Sequence, residues 1–377
     1  MKKRWIAALL ICVMVVMTGL AGCGGGGSEE PANEPTETPT EEPADESATE
    51  PADEPAPEDT AAVDVAGKKF AIVAKNTGNP YADRENAGFE EAIKEAGGEA
   101  IVRAPDQPTA EGQIQILQEL IDQGVDSITI VGNDVDALQP VLQQAMDAGI
   151  KVSAADSGVN PDSRQVFINQ AGTDLIGQTL VDAAFDMCGG EGEFAILSAT
   201  SQATNQNSWI EAMKKVMEGD EKYAKLNLVE VAYGDDLRDK SVSETEALLQ
   251  SYPDLKCIVA PTTVGIAAAG KVLTDKNLGG KVALTGLGLP SEMAEYIDNG
   301  VCEYMFLWNP IDVGYLAGQT AIALVGGTIT GAEGDQYTAG RLGDYTVVKA
   351  GDGGTEVILG PPFKFDGSNI AEWKEVY

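Results

Sequence analysis

Histidine is absent from all 377 residues. Without it there is no Ser/His/Asp or Cys/His activation of a nucleophile and no histidine metal site. Carboxylate pairs, lysine bases and all-oxygen metal sites remain open, so catalysis is disfavoured and not excluded. Cysteine is scarce, with five residues. Cys12 and Cys23 fall in the N-terminal segment. Cys188, Cys257 and Cys302 are widely spaced in apolar surroundings, without metal-type spacing, and read as small buried hydrophobes. Positive charge is scarce too: 25 Lys and Arg stand against 60 Asp and Glu, a net charge of −35. Phosphate neutralisation needs clustered cations, so nucleic acid is not expected as a partner. The Gly-rich stretches at 24–27 and 285–288 lack the Gly-Lys-Ser/Thr and Gly-x-Gly-x-x-Gly forms that cradle phosphate. No metal or other cofactor is expected.

What is present begins with a targeting pattern. Lys2, Lys3 and Arg4 precede an apolar run from Trp5 to Leu20, then Leu20-Ala21-Gly22-Cys23. Small residues before a cysteine match a bacterial lipoprotein signal, read as residues 1–22, with Cys23 lipidated. Residues 23–66 hold about 14 carboxylates, repeated Pro, and no Lys or Arg. Such a segment cannot build a core and reads as a disordered spacer. The expected location is the extracytoplasmic face of the cell membrane, held by the lipid.

From Lys68 onward, short apolar strands alternate with amphipathic helices. Lys69–Ala74 reads as a buried strand, and the helix after it puts Phe89, Ala92, Ile93 and Ala96 on one face. Thr109 can cap the next helix, with Ile114, Leu117, Leu120 and Ile121 in a stripe. The rhythm restarts at Gln165 and continues to Val325. Repeated βα units demand parallel sheets. The fold class expected is α/β, with two doubly wound parallel-sheet lobes. The lobes are drawn as 67–157 with 309–328, and 158–308 with 329–377.

In open parallel sheets, ligands bind beyond the carboxyl ends of the strands. The candidates are therefore the polar residues after each strand: Lys75, Asn76 and Asn79; Asn133 and Asp134; Asp156; Thr204, Asn205 and Gln206; Pro261, Thr262 and Thr263; Trp308 and Asn309. Asp235 and Asp236 also follow a strand, but read as solvated loop charges. Carboxylates accept from hydroxyls, amides donate and accept, and an aromatic face covers the apolar side of a sugar ring. Facing lobes would gather these groups into one cleft for a small, neutral, hydroxyl-rich ligand.

At these strand ends the sequence resembles the ribose-type periplasmic binding proteins, and within them the rhamnose-binding and autoinducer-2-binding branch. The motifs are Ala71-Ile-Val-Ala-Lys75-Asn-Thr-Gly-Asn-Pro80, Pro108-Thr-Ala-Glu-Gly-Gln113, Ala155-Asp156-Ser157-Gly158, Leu197-Ser-Ala-Thr200 with Thr204-Asn-Gln-Asn207, Ile258-Val-Ala-Pro-Thr-Thr-Val-Gly265, Thr285-Gly-Leu-Gly-Leu-Pro-Ser-Glu-Met293 and Leu307-Trp-Asn-Pro-Ile-Asp312. The resemblance implies a type 1 binding protein with a three-crossing hinge, closing on sugar for an ATP-driven importer. It implies ligand contacts from Lys75, Asp156, Gln206 and the backbone of Pro261, beside the pocket residue Trp308. Asn205, Thr263 and Asn309 depart from the autoinducer-2 receptors, which carry Asp, Ala and Asp, and agree with the rhamnose-type members.

The resulting expectation is a monomeric substrate-binding lipoprotein of an ABC sugar importer, not an enzyme. Its partners would be the permease subunits and the membrane. Its ligand, rhamnose or a related sugar, would be held by Lys75, Asp134, Asp156, Asn205, Gln206, Pro261, Thr263, Trp308 and Asn309. The alternatives are an autoinducer-2 receptor, a module presenting ligand to a sensor, and an enzyme on the same fold.

Overall fold

The computed structural model describes residues 65–377. The signal segment, Cys23 and all but the last two residues of the spacer lie outside them. The first lobe begins slightly earlier than the sequence suggests, because Val65 is fully buried against the core around Phe70.

The first run of elements is β1 (Lys69–Val73), α1 (Pro80–Glu95), β2 (Glu99–Arg103), α2 (Ala110–Asp122), β3 (Ser127–Ile130), α3 (Gln139–Asp147), β4 (Lys151–Ala155) and β5 (Val166–Asn169). The second is α4 (Thr173–Met187), β6 (Gly192–Ser198), α5 (Thr204–Gly219), β7 (Leu226–Tyr233), α6 (Arg238–Ser251), β8 (Leu255–Ala260), α7 (Thr263–Asp275), β9 (Ala283–Gly286), α8 (Pro290–Asp298) and β10 (Tyr304–Leu307). The chain then runs through α9 (Pro310–Gly326), β11 (Gln336–Thr338), β12 (Asp344–Thr346), β13 (Val348–Lys349), β14 (Thr355–Ile358), β15 (Phe363–Asp366) and α10 (Ile370–Trp373).

Local chemistry explains where these helices start. The Asn79 side chain accepts from the Tyr81 amide and Pro80 opens α1. Thr109 accepts from the Gly112 amide at the start of α2, as its position predicts.

Seven strands form the first sheet, in the order β13-β14-β5-β4-β3-β1-β2. All its pairings are parallel except β13 with β14. Side chains alternate between its faces: Phe70 and Ile72 join the core under α1 and α9, while Ala71 and Val73 join the core under α2 and α3. The second sheet runs β7-β6-β8-β9, and a single parallel bridge from Leu287 to Phe306 carries it on to β10 and antiparallel β15. The three cysteines are buried in its core.

This pairing moves the lobe boundaries. Val166–Asn169 and Thr355–Ile358 were expected in the second lobe, but both pair within the first sheet. β5 is buried on both faces and needs a parallel neighbour, which β4 supplies; β14 then pairs with it. The chain therefore crosses between lobes after β5, between β10 and α9, and between β14 and β15. The described residues form one compact unit.

Helices α1 and α9 cross with their backbones in contact. A methyl group on Gly314 would overlap the Glu85 carbonyl oxygen, and one on Gly88 would overlap that of Ile311. Neither carbonyl can yield without breaking its helix. Gly314→Ala should therefore cost about 1–3 kcal/mol of stability, read as a lower urea midpoint at unchanged slope. An unchanged midpoint would mean that the helices separate freely.

Candidate functional site: a polar cavity between the lobes

The carboxyl ends of both sheets converge on a cavity of about 50 Å³. The first lobe contributes Lys75 after β1, Asn79, Tyr81 and Glu85 from the start of α1, and Asp156 after β4. Asn205, Gln206 and Trp209 enter from the first turns of α5, Asp236 follows β7, and Pro261, Thr262 and Thr263 lie between β8 and α7. Trp308 stands in the crossing that leads into α9.

A chain of hydrogen bonds runs across the cavity. Trp308 Nε1 donates to Tyr81 Oη at 2.6 Å, and Tyr81 donates to Asp156 Oδ1 at 3.1 Å. Asn205 Nδ2 donates to Asp156 Oδ2 at 3.0 Å. Lys75 Nζ donates to Asn205 Oδ1 at 2.8 Å and to Gln206 Oε1 at 3.3 Å. Lys75 is thus bonded to the two amides of the other lobe. Asp236 accepts from the Thr262 hydroxyl. The Trp308 ring meets Trp209 edge-on, with centroids 5.7 Å apart.

Asp156 has a left-handed backbone, φ 56°, as do Asp235 and Asp236 at 54° and 52°. Such conformations are uncommon outside glycine and are tolerated best by Asp and Asn. Two of them, Asp156 and Asp236, line the cavity, where the surrounding fold holds their local geometry.

The cavity gathers three carboxyl groups and one lysine. Burial pushes the Asp156 carboxyl above its usual range, opposed by the charge of Lys75 and the bond from Tyr81. Burial raises Glu85 well above its usual range, and the neighbouring charge of Asp156 raises it further. Two carboxyls in one low-dielectric space do not both ionise readily. The donors to Asp156 favour its ionised form, while burial and the neighbouring charge of Asp156 favour the protonated form of Glu85. Tyr81 is also raised, chiefly by burial and then by Asp156.

A family model described as a periplasmic binding protein domain matches residues 70–329. The chain belongs to that family. An ABC transporter solute-binding protein from Clostridium phytofermentas, solved with bound L-rhamnose, is 53% identical to it. That similarity covers 83% of this chain and 100% of the other, with a TM-score of 0.82. LsrB from Clostridium saccharobutylicum, solved in complex with AI-2, shares the fold: the TM-score is 0.76 over 81% of this chain and 99% of that one, at 22% identity. The D-ribose/D-allose-binding protein of Pseudomonas aeruginosa is 28% identical over 190 residues, 48% of this chain and 57% of the relative. The chain thus spans little more than half the length of that curated relative.

Seven of the residues singled out in this periplasmic binding protein as ligand contacts line the cavity: Lys75, Asp156, Asn205, Gln206, Pro261, Thr263 and Trp308. Asp134 and Asn309 do not. Asp134 Oδ1 accepts from the amides of Asp136 and Ala137 and closes the turn before α3. Asn309 Oδ1 accepts from the Ile311 amide and caps α9, while its Nδ2 donates to Asp312. Both are short side chains placed to satisfy backbone donors at a helix start. Asn133 supports the site from behind, donating to the Lys75 carbonyl at 2.8 Å.

Asp236 corrects the sequence reading in the other direction. It is buried in the cavity wall, while Asp235 beside it pairs with Lys240 near the surface. Tyr81, Glu85 and Trp209 were not singled out, because they lie within helices. A signal was present for Glu85: residues 81, 85, 89, 92 and 93 share one helix face, and a carboxylate stands where that stripe calls for an apolar side chain.

Glu85 binds its proton more tightly in the folded chain than in the unfolded one, where it titrates near 4.5. Its contribution to stability is present below that pH and is lost as pH rises through the raised folded value. Glu85→Gln, which cannot ionise, should therefore raise the melting temperature more at pH 8 than at pH 5. A gain equal at both pH values would mean that Glu85 is ionised throughout.

Proposed function

We propose that this chain is the solute-binding component of an ABC sugar importer, holding rhamnose or a related small sugar between its lobes. The observation that carries the reading is the cavity itself. Asp156, Asn205, Gln206, Lys75 and the Trp308 ring face one space from both lobes, with acceptors, donors and an aromatic surface suited to a hydroxyl-rich ring. The identity to the rhamnose-bound relative supports the choice of sugar.

A sugar would take over the hydrogen bonds that Lys75, Asn205 and Asp156 now make to one another. Because these groups come from both lobes, the bound sugar favours the closed arrangement, and the three crossings serve as the hinge. The permease then reads closure. The cavity carboxyls orient the ligand and release it unchanged, with no chemical step.

In the same proposal, residues 1–22 are removed, Cys23 carries the lipid, residues 23–66 act as a spacer, and the chain works as a monomer outside the cell membrane. Cys23→Ser should shift the protein from the cell fraction to the medium and abolish incorporation of labelled palmitate. Retention on cells without label would overturn the anchor.

Thermal melting against a sugar panel tests the ligand. At about 100 times its dissociation constant, a sugar stabilises by about 2.7 kcal/mol. L-rhamnose should raise the melting temperature, autoinducer-2 should not, and Asp156→Ala should remove the shift. A shift with autoinducer-2 alone would make the chain a receptor for that signal.

A further inference from the structure

Asp156 and Lys75 have partners in the cavity; one buried polar group beside them has none. Glu85 is 1% exposed and lines the cavity, and its Oε1 has no hydrogen-bond partner. An orphaned carboxyl oxygen is costly inside a fold. Its position is nevertheless over-determined. The Glu85 carbonyl rests on Gly314 of α9, so α1 cannot turn to carry the side chain out. One turn earlier on the same face, Tyr81 is fixed by its bonds to Trp308 and Asp156. The helix thus delivers an unpartnered polar group to a wall that an apolar residue would fill at lower cost.

We propose that Glu85 is a further specificity-determining residue of this site, reading a ligand oxygen beyond those served by Asp156 and Lys75. The proposal rests on the sugar-binding reading given above. A protonated Glu85 offers both an O–H donor and a carbonyl acceptor, whereas Asp156, which accepts from Tyr81 and Asn205, offers acceptors alone. The two carboxyls therefore distinguish ligand hydroxyls by the direction of the hydrogen bond. A ligand lacking an oxygen at that point would leave Glu85 buried and unpaired, which is how a polar site rejects a deoxy analogue.

The charged and titratable groups around Glu85 are consistent with this role. Asp156 and Lys75 face it from the ends of β4 and β1, and Tyr81 from its own helix. Asp236 acts on Asp156 from across the cavity. On α9, Asp312 is held by Arg341 and Tyr315 by Glu95. As pH rises through the Glu85 range, a second negative charge develops beside Asp156 and the donor is lost, so affinity falls on the alkaline side.

The test uses the full chain and two nearly isosteric variants, with L-rhamnose as the calorimetric probe from pH 5 to pH 9 and melting of the ligand-free protein alongside. Glu85→Gln, whose amide also donates and accepts, should keep more of the wild-type affinity than Glu85→Leu at neutral pH and lose the alkaline fall in affinity. Glu85→Leu should melt higher without ligand, because an orphaned carboxyl is gone, yet bind about 10- to 100-fold more weakly. Unchanged affinity in Glu85→Leu would overturn the proposal and leave the sugar reading intact. So would a Glu85→Leu variant that melts lower and binds weakly at every pH while Glu85→Gln behaves as it does, since that pattern belongs to packing. Absence of L-rhamnose binding in the wild type would overturn the proposal together with the reading on which it rests.

Discussion

Helices α1 and α9 meet backbone to backbone at Gly88 and Gly314, and much of the cavity follows from that contact. α9 begins immediately after the crossing that carries Trp308, so whatever fixes α9 also fixes that indole. α1 carries Tyr81 and Glu85 on the face turned to the cavity. Pressing the two helices together therefore sets the distance between a tyrosine of one lobe and a tryptophan at the entry to the hinge. The bond of 2.6 Å between them records that setting.

The electrostatics of the site depend on this arrangement. Asp156, Glu85 and Asp236 share one small space with a single lysine. Water would ordinarily screen such a group of carboxyls, but Asp156 and Glu85 are buried. Tyr81 and Asn205 donate to Asp156 and favour its ionised form, whereas Glu85 Oε1 has no donor and burial favours its protonated form. The site thus presents acceptors and a donor of similar size at neighbouring positions, a pattern that a flexible, solvated set of side chains would not maintain.

The strand-end residues were legible because βα repetition tells where each strand stops, and open parallel sheets place ligands there. Lys75, Asp156, Pro261 and Trp308 were found in that way. The same rule included Asp134 and Asn309, whose short polar side chains serve neighbouring backbone amides; a cap and a ligand contact look alike in sequence. It undervalued Asp236, since two consecutive aspartates in a loop carry no sign of which is turned inward. It missed Tyr81, Glu85 and Trp209, because helix periodicity marks a buried face without saying whether a core or a cavity lies against it.

By itself the sequence determined the alternation of elements, the parallel character of both sheets and the polar inventory at their carboxyl ends. These depend on local periodicity, capping and turn chemistry, which act over a few residues. The tertiary structure decided which strands belong to which lobe, because β14 finds β5 across nearly two hundred residues of chain. It also decided which of the two neighbouring carboxyls, Asp156 and Glu85, is supplied with donors, since those come from α1 and α5. Long-range pairing and burial are properties of the packed whole, and no window along the chain contains them.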